Sequence, residues 1–496
     1  MRGMRAWVVG AFAAGTMLLG ACTGLLGDFQ SSSSSDGGPT VDGVVQEGSS
    51  GESGSSDDAR EPGDGGHDAT TADDDAAPDH AAPPSGNDAG DAGKEAGPVH
   101  GDGTFQPVMD VVLDAGGPAK TGLLATDLSG DGVPDLAACT SSAGSGFSVF
   151  LSNKDGTFRQ GFTEDDPATS CVGIAAINLA FGAGLTPYLA VLEATGPNSQ
   201  LAIYESDPGG GNYYLYYPPS SHTPALYALT NVTATSIASD DFDLDGLADI
   251  AITAEGSYFQ IFRNIGPSGP INSATAATPP FALTTASVNI SEGPTDIVFR
   301  DLNGDKVPEA IVGTLGVQGY FAIGNPNSVT FFGGLEALRP QWPDPGSPST
   351  IAPRGVTTGD FDGDGAIDIA YADQTTGDVA VFYNGGPPYA DAGGYLNFVP
   401  PAVTSTEPLP PVGTSPYDIA SGDFNGDGKW DLAVSVSGAV TVLLSQGRTW
   451  GTQTTYSVGA GDQTSSIVTG DFNDDHKVDI AALYTSKPGI AVFFGN

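Results

Sequence analysis

The sequence predicts an all-β protein, a seven-bladed β-propeller of four-stranded blades that is preceded by a signal peptide and a disordered acidic linker. The first observation behind this prediction is a nine-residue acidic turn that recurs six times after about residue 100. The second is that each copy lies between short apolar runs rich in Val, Ile, Phe and Tyr, which are typical of strands. The third is a period of roughly 50–60 residues, which is typical of repeats that each form one blade.

The charge of the chain limits its partners. The 496 residues include 16 Lys and Arg against 60 Asp and Glu, for a formal net charge of -44. This balance excludes nucleic acid, because phosphate binding needs a basic surface. It also excludes electrostatic attraction to anionic lipid. Metal cations are compatible with it, and we expect membrane contact only through an anchor.

Residues 1–21 have the pattern of a signal peptide. Two arginines precede an apolar run at 6–21 that is short for a membrane span. The sequence LGAC, which ends at Cys22, resembles the lipobox of bacterial lipoproteins. This resemblance implies that Cys22 is lipidated, and Thr23 in place of Asp implies an outer membrane lipoprotein on the cell surface or the periplasmic side. An ordinary signal peptide with a chance cysteine is the alternative.

Residues 22–100 form a Ser, Gly, Ala, Pro and Asp-rich segment with few large apolar side chains. Such a composition cannot bury enough apolar surface to offset the entropy of the chain. We therefore predict a disordered, flexible tether. The three consecutive aspartates at 73–75 are interpreted as a solvated charge run. The propeller domain is predicted to span 101–496.

The six acidic turns share the pattern D-x-[DNS]-x-D-G-x-x-D, in which oxygen-bearing side chains occupy the first, third, fifth and ninth positions. The candidate metal ligands are, turn by turn, Asp127, Ser129, Asp131 and Asp135; Asp241, Asp243, Asp245 and Asp249; Asp301, Asn303, Asp305 and Glu309; Asp360, Asp362, Asp364 and Asp368; Asp423, Asn425, Asp427 and Asp431; and Asp471, Asn473, Asp475 and Asp479.

This spacing predicts calcium as the cofactor, in up to six sites. The side chains at the first, third and fifth positions, a backbone carbonyl at the seventh and a bidentate acid at the ninth supply six or seven hard oxygens, which suit Ca²⁺. Glycine at the sixth position permits a positive φ. Lys306 and His476 replace this glycine, so we expect weaker binding in those two turns. The alternative is an acidic turn held by Asx-type hydrogen bonds without metal.

The flanking runs define the blade. An innermost strand enters the acidic turn, a second strand leaves it, and a third strand follows a glycine turn. Residues 175–192 repeat this pattern without the acids and are counted as a degenerate unit, in which Asn178 is the only comparable ligand and no metal is expected. Residues 489–496 form a third strand, and 101–113 a fourth strand, so together they are predicted to complete the last blade. Such closure removes exposed strand edges.

The recurring turn and its strands resemble the FG-GAP/VCBS repeat family, of which integrin alpha-chain propellers are the best-known members. The resemblance covers about 101–496. It implies a calcium-binding propeller that acts as a binding, adhesion or scaffold module, and it does not identify the ligand. We expect a monomer with an unknown protein or glycan partner. A lectin or a carbohydrate-active enzyme of the lyase or hydrolase type is the alternative.

The sequence contains no recognisable catalytic constellation, so we predict that the protein is not an enzyme. His222 is interpreted as a surface residue. Trp342 lies in a Pro-rich loop, and integrin-like propellers contact ligand through such loops on the face opposite calcium; ligand contact and loop packing both remain open. An aromatic run comprises Tyr213, Tyr214, Tyr216 and Tyr217. These side chains either stack on a sugar or a peptide or form an outer strand with alternating faces, and we favour the strand.

Two cysteines remain after the anchor, and exported proteins can keep disulfides. Cys139 lies at the far end of the second strand of the first unit, and Cys171 lies just before the innermost strand of the next. Both ends should share the face opposite calcium, which brings the two residues within bridging range. We therefore predict a Cys139–Cys171 disulfide, with two thiols as the alternative.

Overall fold

The structure is a computed structural model that describes most of the chain after residue 100. The described residues are 101–112, 122–140, 146–164, 170–179, 187–195, 198–206, 212–215, 226–229, 232–255, 258–265, 281–289, 293–314, 319–324, 332–338, 353–374, 377–384, 398–399, 412–459 and 461–496. The predicted signal peptide, the tether, Cys22, His222, Trp342, Tyr216 and Tyr217 lie outside them.

The described residues form 29 strands, and no helix among them is long and apolar enough to cross a lipid bilayer. The first of these strands is β1 Met109–Val111; blade one then contains β2 Leu123–Thr126, β3 Asp135–Cys139, β4 Phe147–Ser152 and β5 Phe158–Thr163, and blade two contains β6 Ser170–Ile177, β7 Tyr188–Thr195, β8 Asn198–Ser206, β9 Tyr213–Leu215 and β10 Leu226–Leu229.

Blade three contains β11 Ala234–Asp240, β12 Asp249–Ala254, β13 Tyr258–Asn264 and β14 Phe281–Asn289, and blade four contains β15 Pro294–Arg300, β16 Glu309–Thr314, β17 Gly319–Gly324 and β18 Phe332–Leu338.

Blade five contains β19 Pro353–Gly359, β20 Asp368–Asp373, β21 Asp378–Asn384 and β22 Phe398–Val399; blade six contains β23 Asp418–Gly422, β24 Asp431–Val436, β25 Ala439–Leu443 and β26 Thr454–Ser457; and blade seven contains β27 Thr464–Gly470, β28 Asp479–Tyr484 and β29 Ile490–Phe493.

The blades are antiparallel meanders, which confirms the predicted all-β propeller of four-stranded blades. Six of the described sheets have four strands, in the predicted order from the innermost strand outward. The sheet that contains the degenerate unit differs, because it has five strands: β9 and β10 both pair with β8. The prediction of four strands in every blade is therefore wrong for blade two, whose third strand is long enough to hold two short partners.

The innermost strands surround a common axis. Each of β2, β6, β11, β15, β19, β23 and β27 contacts the innermost strand of the next blade, and β27 contacts β2. Because each blade packs between two neighbours, both faces of its inner strands are buried. All six residues of β24 are buried, for example. This explains why second strands such as DLAVSV have apolar residues at consecutive positions instead of a strict alternation of apolar and polar residues.

The N-terminal strand completes the last blade, as predicted. Strand β1 pairs with β29, with Asp110 opposite Ala491. The pairing continues beyond the strand, where Phe105 forms a β-bridge with Gly495. The N–H of Asn496 donates to the carbonyl of Thr104 at 2.9 Å. The outer edge of β29 is thereby covered.

The predicted disulfide joins blade one to blade two. Cys139 ends β3, Cys171 lies at the start of β6, and their Cα atoms are 5.2 Å apart. Gly122 packs directly against the bridge: a Cβ at this residue would lie 2.5 Å from Sγ of Cys139, and its φ is +88°. The side chain of any other residue at 122 would therefore displace the bridge or the strand behind it.

Loss of this disulfide should destabilise the protein. The two cysteines are 32 residues apart, so the double substitution Cys139→Ser/Cys171→Ser should lower the free energy of unfolding by about 3–4 kcal/mol through the larger entropy of the unfolded chain. Urea unfolding of oxidised protein measures this loss, and reduced wild-type protein is the matched control. Two reactive thiols in denatured, unreduced wild-type protein would contradict the bridge.

Candidate metal centres

The six acidic turns join the innermost strand to the second strand in six of the blades. Because the innermost strands run in the same direction along the axis, these turns lie at one end of the propeller. Neighbouring turns touch there: the N–H of Trp430, in the turn at 423–431, donates to the carbonyl of Asp360 in the turn of the preceding blade at 2.9 Å. We number the positions of each turn from one to nine, starting at its first acid.

The acid at position one shapes the turn. In the fifth turn, Asp423 accepts the N–H of Asp427 with one oxygen and the N–H of Gly428 with the other, at 3.1 and 2.9 Å. All six turns repeat this pair of bonds, at 3.0–3.2 Å from position five and 2.7–2.9 Å from position six. The predicted Asx-type hydrogen bonds therefore exist. In the first, third and fourth turns Oδ1 also accepts the N–H of position four at 2.7 Å, so its acceptor capacity is used. Oδ2 accepts one N–H and keeps a lone pair that a cation could use.

The side chains at positions three and five continue this network. Oδ1 of the aspartate at position five accepts the N–H of position seven in every turn, at 2.8–3.0 Å. The amide oxygens of Asn303, Asn425 and Asn473 accept the N–H of position five, at 2.8–3.1 Å. Each of these side chains keeps unused acceptor capacity beyond the bond described here.

The acid at position nine is buried in all six turns, with 0% of its surface exposed. One of its oxygens accepts the N–H of position two, at 2.7–3.2 Å. In five turns the other oxygen accepts a backbone N–H from the end of the third strand, at 2.6–2.8 Å. These acids were predicted only as metal ligands, and the structure shows that they also join three strands of the blade.

The residue at the end of the third strand also reaches the neighbouring blade. The side-chain amide of Asn384 donates to the carbonyl of Leu302 at 2.6 Å, and the hydroxyl of Ser152 donates to the carbonyl of Phe472 at 2.7 Å. Ser445 bonds the carbonyl of Phe361 in the same way. Sequence reasoning missed these residues, although a recurring Ser or Asn at the end of the third apolar run was a signal for them.

The third turn differs because its last acid is Glu309. Its Oε2 accepts the N–H of Leu302 at 2.7 Å, and its Oε1 accepts the side-chain amide of Asn303 at 3.1 Å. The longer side chain thus contacts a predicted ligand of its own turn.

Backbone conformation follows the predicted pattern at position six. The φ angles of Lys306 and His476, which replace the glycine, are +73° and +64°. Both residues therefore adopt the left-handed conformation, at a cost on the order of 1 kcal/mol each. Position four also has a positive φ in every turn, including +58° at Leu244 and +61° at Asp474, which the sequence pattern did not reveal. Weaker metal binding at Lys306 and His476 stays a prediction.

Burial raises the pKa of the position-nine acids. The pKa of Asp135 rises to about 6, and those of Asp249, Asp368, Asp431 and Asp479 rise to about 8. Loss of hydration is the main cause, the backbone N–H bonds oppose it, and the neighbouring acids of the turn add to it. Negative charge in these turns is therefore unfavourable unless a cation accompanies it.

Basic side chains approach several turns. The guanidinium of Arg263, on β13, pairs with Asp243, whose side chain is 5% exposed. Nε of Arg448, in the loop before β26, lies 2.7 Å from Oδ2 of Asp362 in the preceding blade. Nζ of Lys154 donates to the carbonyl of Asp131 at 2.6 Å. Sequence reasoning missed these residues, because their distance along the chain from the acids they meet follows no motif.

Among the described residues, three groups of side chains could hold a metal ion by geometry, with their potential ligand atoms within 4.8 Å of one another. Two match predicted ligand sets: Asp241, Asp243 and Asp249, and Asp360, Asp362 and Asp368. The third consists of Asp471, Asp474 and His476, so it includes two residues that were not predicted as ligands. The acidic turns thus have the donors for a metal ion.

The remaining predicted residues fall into two classes. In the degenerate unit, the amide of Asn178 donates to the carbonyl of Gly246 at 3.0 Å and its oxygen accepts the N–H of Ala248 at 2.6 Å, so it supports the turn of blade three. Tyr213 lies in β9 with 0% of its surface exposed, which excludes it as a sugar-stacking residue and confirms the outer-strand interpretation there. Cys22, Trp342 and His222 lie outside the described residues.

Comparison with known families identifies the repeats. A family model described as an FG-GAP-like repeat matches residues 360–434 and 423–482. These segments contain the fourth, fifth and sixth acidic turns, so the chain contains FG-GAP-like repeats, as the sequence predicted. No curated protein sequence matches the chain significantly.

Several solved structures are similar to this chain. BBS1N, solved in complex with ARL6DN, is 14% identical over 80% of this chain and 98% of its own, with a TM-score of 0.47. An Agrocybe aegerita lectin that recognises non-reducing terminal N-acetylglucosamine is 12% identical over 73% of this chain and 88% of its own, with a TM-score of 0.43. Chaetomium thermophilum Raptor is 10% identical over 80% of this chain and 30% of its own, with a TM-score of 0.47.

Metal-free protein should lose stability as the pH rises from about 5 to about 8. The buried acids at position nine keep their protons in the folded state up to a pKa of about 8, whereas the unfolded chain releases them near pH 4. The folded state then binds more protons than the unfolded state, so the free energy of unfolding falls with rising pH. Melting temperatures in EDTA across this pH range measure the effect.

The variant Asp479→Asn provides the control, since an amide does not titrate and part of the slope should disappear. A melting temperature in EDTA that stays constant or rises between pH 5 and pH 8 would contradict the raised pKa values.

Proposed function

We propose that this chain is a calcium-binding β-propeller that serves as a binding or scaffold module outside the cytoplasm. The observation that carries the proposal is the burial of an acid at position nine in six turns at one end of the propeller. Acids that accept two backbone N–H groups in a buried turn, beside two or three further carboxylates, are stabilised in their charged form by a cation.

Calcium fits the donors better than magnesium. The turns offer carboxylate, amide and backbone oxygens on a loop held by its own hydrogen bonds, and Ca²⁺ accepts six to eight such ligands in irregular geometry. Mg²⁺ requires a near-octahedral set and keeps much of its water. Cysteine thiolates and clustered histidines, which softer metals favour, do not occur among the predicted ligands.

A binding role, rather than catalysis, agrees with the use of the acids. In the six turns the carboxylates accept backbone N–H groups and so maintain the loop. The partner is proposed to be a protein or a glycan, and the protein to be a monomer. A glycan array distinguishes the two classes of partner, because specific retention of a glycan favours the lectin alternative. A separate assay for product released from polysaccharide tests for an enzyme.

The location is proposed from the N-terminus. The signal peptide at 1–21 and a lipid on Cys22 would place the propeller on the outer membrane, with residues 22–100 as the tether. The Cys139–Cys171 disulfide supports export, because such bridges persist mainly outside the reducing cytosol.

Removal of calcium should destabilise the propeller. Each occupied site adds about 2.7 kcal/mol at a calcium concentration 100 times its dissociation constant, so EDTA should lower the melting temperature markedly, and Ca²⁺ should restore it better than Mg²⁺. Equilibrium dialysis counts the bound ions. The variant Asp423→Asn/Asp427→Asn should bind one Ca²⁺ fewer per chain.

Asp155→Asn is the matched control for the calcium experiment. Asp155 is exposed, bonds only Thr157 among the contacts found in the described residues, and belongs to no acidic turn. It should leave the number of bound ions unchanged. An EDTA-indifferent melting temperature together with no retained Ca²⁺ would refute the proposed calcium role.

The lipid anchor is tested by Cys22→Ser. Without the thiol no lipid can be attached, so the variant should move from the membrane fraction to the soluble fraction and should no longer incorporate radiolabelled palmitate. Thr23→Ser, which keeps the cysteine, is the matched control. Membrane fractionation of Cys22→Ser that equals that of wild type would exclude the anchor.

A further inference from the structure

A cavity of about 620 Å³ lies on the propeller axis, away from the acidic turns. All seven innermost strands, or the residue just before them, contribute to its wall, and they do so where the strands begin. Since each innermost strand runs toward its turn, the cavity lies toward the opposite end of the axis. Its volume is in the range of sites for small organic ligands and far exceeds that of a bare ion.

The innermost strands that form the cavity wall have irregular strand pairing near the residues where they begin. Five of the innermost strands shift register there, between Cys171 and Gly173 in β6 and at the equivalent positions of β11, β15, β19 and β27. Such bulges bend a strand and change the direction of its side chains, and they are frequent beside binding sites. The repeat therefore builds this wall in the same way in most blades.

One position of the repeat forms a ring around the axis. It lies five residues before position one of each acidic turn, and five residues before Asn178 in the degenerate unit. Its occupants are Gly122, Gly173, Ser236, Asp296, Gly355, Asp418 and Ser466. All except Gly355 line the cavity. The ring thus combines three glycines, two serines and two aspartates, and its negative charge is confined to blades four and six, on either side of blade five.

The two aspartates lie on either side of the same segment of β19. The N–H of Val356 donates to Oδ2 of Asp296 at 3.2 Å. A Cβ at Gly355 would lie 2.3 Å from Oδ1 of Asp418, so glycine at this position leaves the room that the Asp418 carboxylate occupies. Burial raises the pKa of Asp296 to about 6 and that of Asp418 well above its ordinary value, with the charge of Asp296 as the second cause for Asp418.

Within the described residues, no Lys, Arg or His forms an ion pair with Asp296 or Asp418. Asp418 accepts the N–H groups of Ile419 and Ile467, at 2.8 and 3.1 Å. Asp296 accepts the hydroxyl of Ser236 at 3.1 Å in addition to backbone N–H groups. A carboxylate offers about four acceptor sites, so Asp418 in particular can accept two more donors.

A buried hydroxyl on the same wall lacks a partner. Ser465 lines the cavity and is 4% exposed, and within the described part of the chain its Oγ makes no hydrogen bond. An unsatisfied buried hydroxyl costs about 1–3 kcal/mol. This Oγ has essentially no exposed surface of its own, so it belongs to the interior of the wall and is not a contact for a ligand in the cavity.

We propose that the axial cavity binds a small organic molecule with a protonated amine, and that the ammonium group lies between Asp296 and Asp418. An ammonium offers three donors without an acceptor, which matches carboxylates with unused acceptor sites. Apolar wall residues, including Leu123 and Ile237, contact the carbon skeleton. The other charged wall residues are Glu255, which is exposed, and Arg354, whose Nε donates to Gln374 at 2.8 Å.

The test compares putrescine with 1,4-butanediol, which has the same length but no charge. Isothermal titration is done on the full chain in saturating Ca²⁺, so that the acidic turns are occupied. Wild type should bind one putrescine per chain and should not bind the diol measurably. The variant Asp296→Asn/Asp418→Asn should bind putrescine at least tenfold more weakly, because two charges that face the ammonium are removed.

Two further variants keep the test decisive. Glu255→Lys changes an exposed residue of the wall and leaves the buried hydrogen bonds in place, so it should fold and should weaken putrescine binding several-fold even if the double variant fails to fold. Asp423→Asn, in an acidic turn, should leave putrescine binding unchanged. We therefore expect that loss of calcium from one acidic turn does not change the affinity for putrescine.

Three outcomes would overturn the proposal. The first is the absence of putrescine binding to folded wild type. The second is equal binding of the diol, which would indicate a site for neutral polyols. The third is one Ca²⁺ more per chain in wild type than in Asp296→Asn/Asp418→Asn, which would indicate an axial metal ion.

Discussion

The blade depends on the buried carboxylate at position nine of the acidic turn. Asp431 accepts the N–H of Phe424 with one oxygen and that of Ser445 with the other, at 2.9 and 2.7 Å. It thereby joins the turn to the end of the third strand, and Ser445 bonds the carbonyl of Phe361 in the preceding blade. A single acid thus connects three strands of one blade, and through Ser445 it connects two blades.

This arrangement explains why one residue pattern supports both the architecture and the candidate metal site. The backbone N–H groups around the acid hold it in place, and the same burial makes its charge unfavourable without a cation. Replacing the acid by an apolar side chain would leave the N–H groups of two elements without acceptors. The support of the blade and any affinity for a cation therefore depend on the same side chain at this position.

Much of the fold was predictable because the repeat is periodic. The period, the turn spacing and the apolar runs predicted the order of strands, the closure by β1 and the disulfide between Cys139 and Cys171. The five-stranded blade was not predictable, because the degenerate unit lacks the turn that marks the register of the others. Among the described residues of the site, the acids were found where the motif placed them.

Contacts between distant segments were the part that sequence reasoning missed. Arg448 meets Asp362, 86 residues earlier, because the loop before β26 lies over the turn of the previous blade. The ring of Asp296, Asp418 and their equivalents is hidden for a different reason: the three glycines and two serines among its members have no charge or motif that identifies a common site. Such groups emerge only when the blades are arranged around one axis.

The position of Arg448 would couple any ion bound in one blade to the contact of that blade with the next. Its guanidinium lies 5.2 Å from the ring centre of Tyr383 and pairs with Asp362, both in blade five, while its backbone belongs to blade six. A cation that entered the turn at 360–368 would compete with the guanidinium for the same carboxylate. Filling this turn would therefore exchange a bridge between two blades for a bond within one. The rigidity of the contact between blades five and six would then vary with the calcium concentration around the propeller.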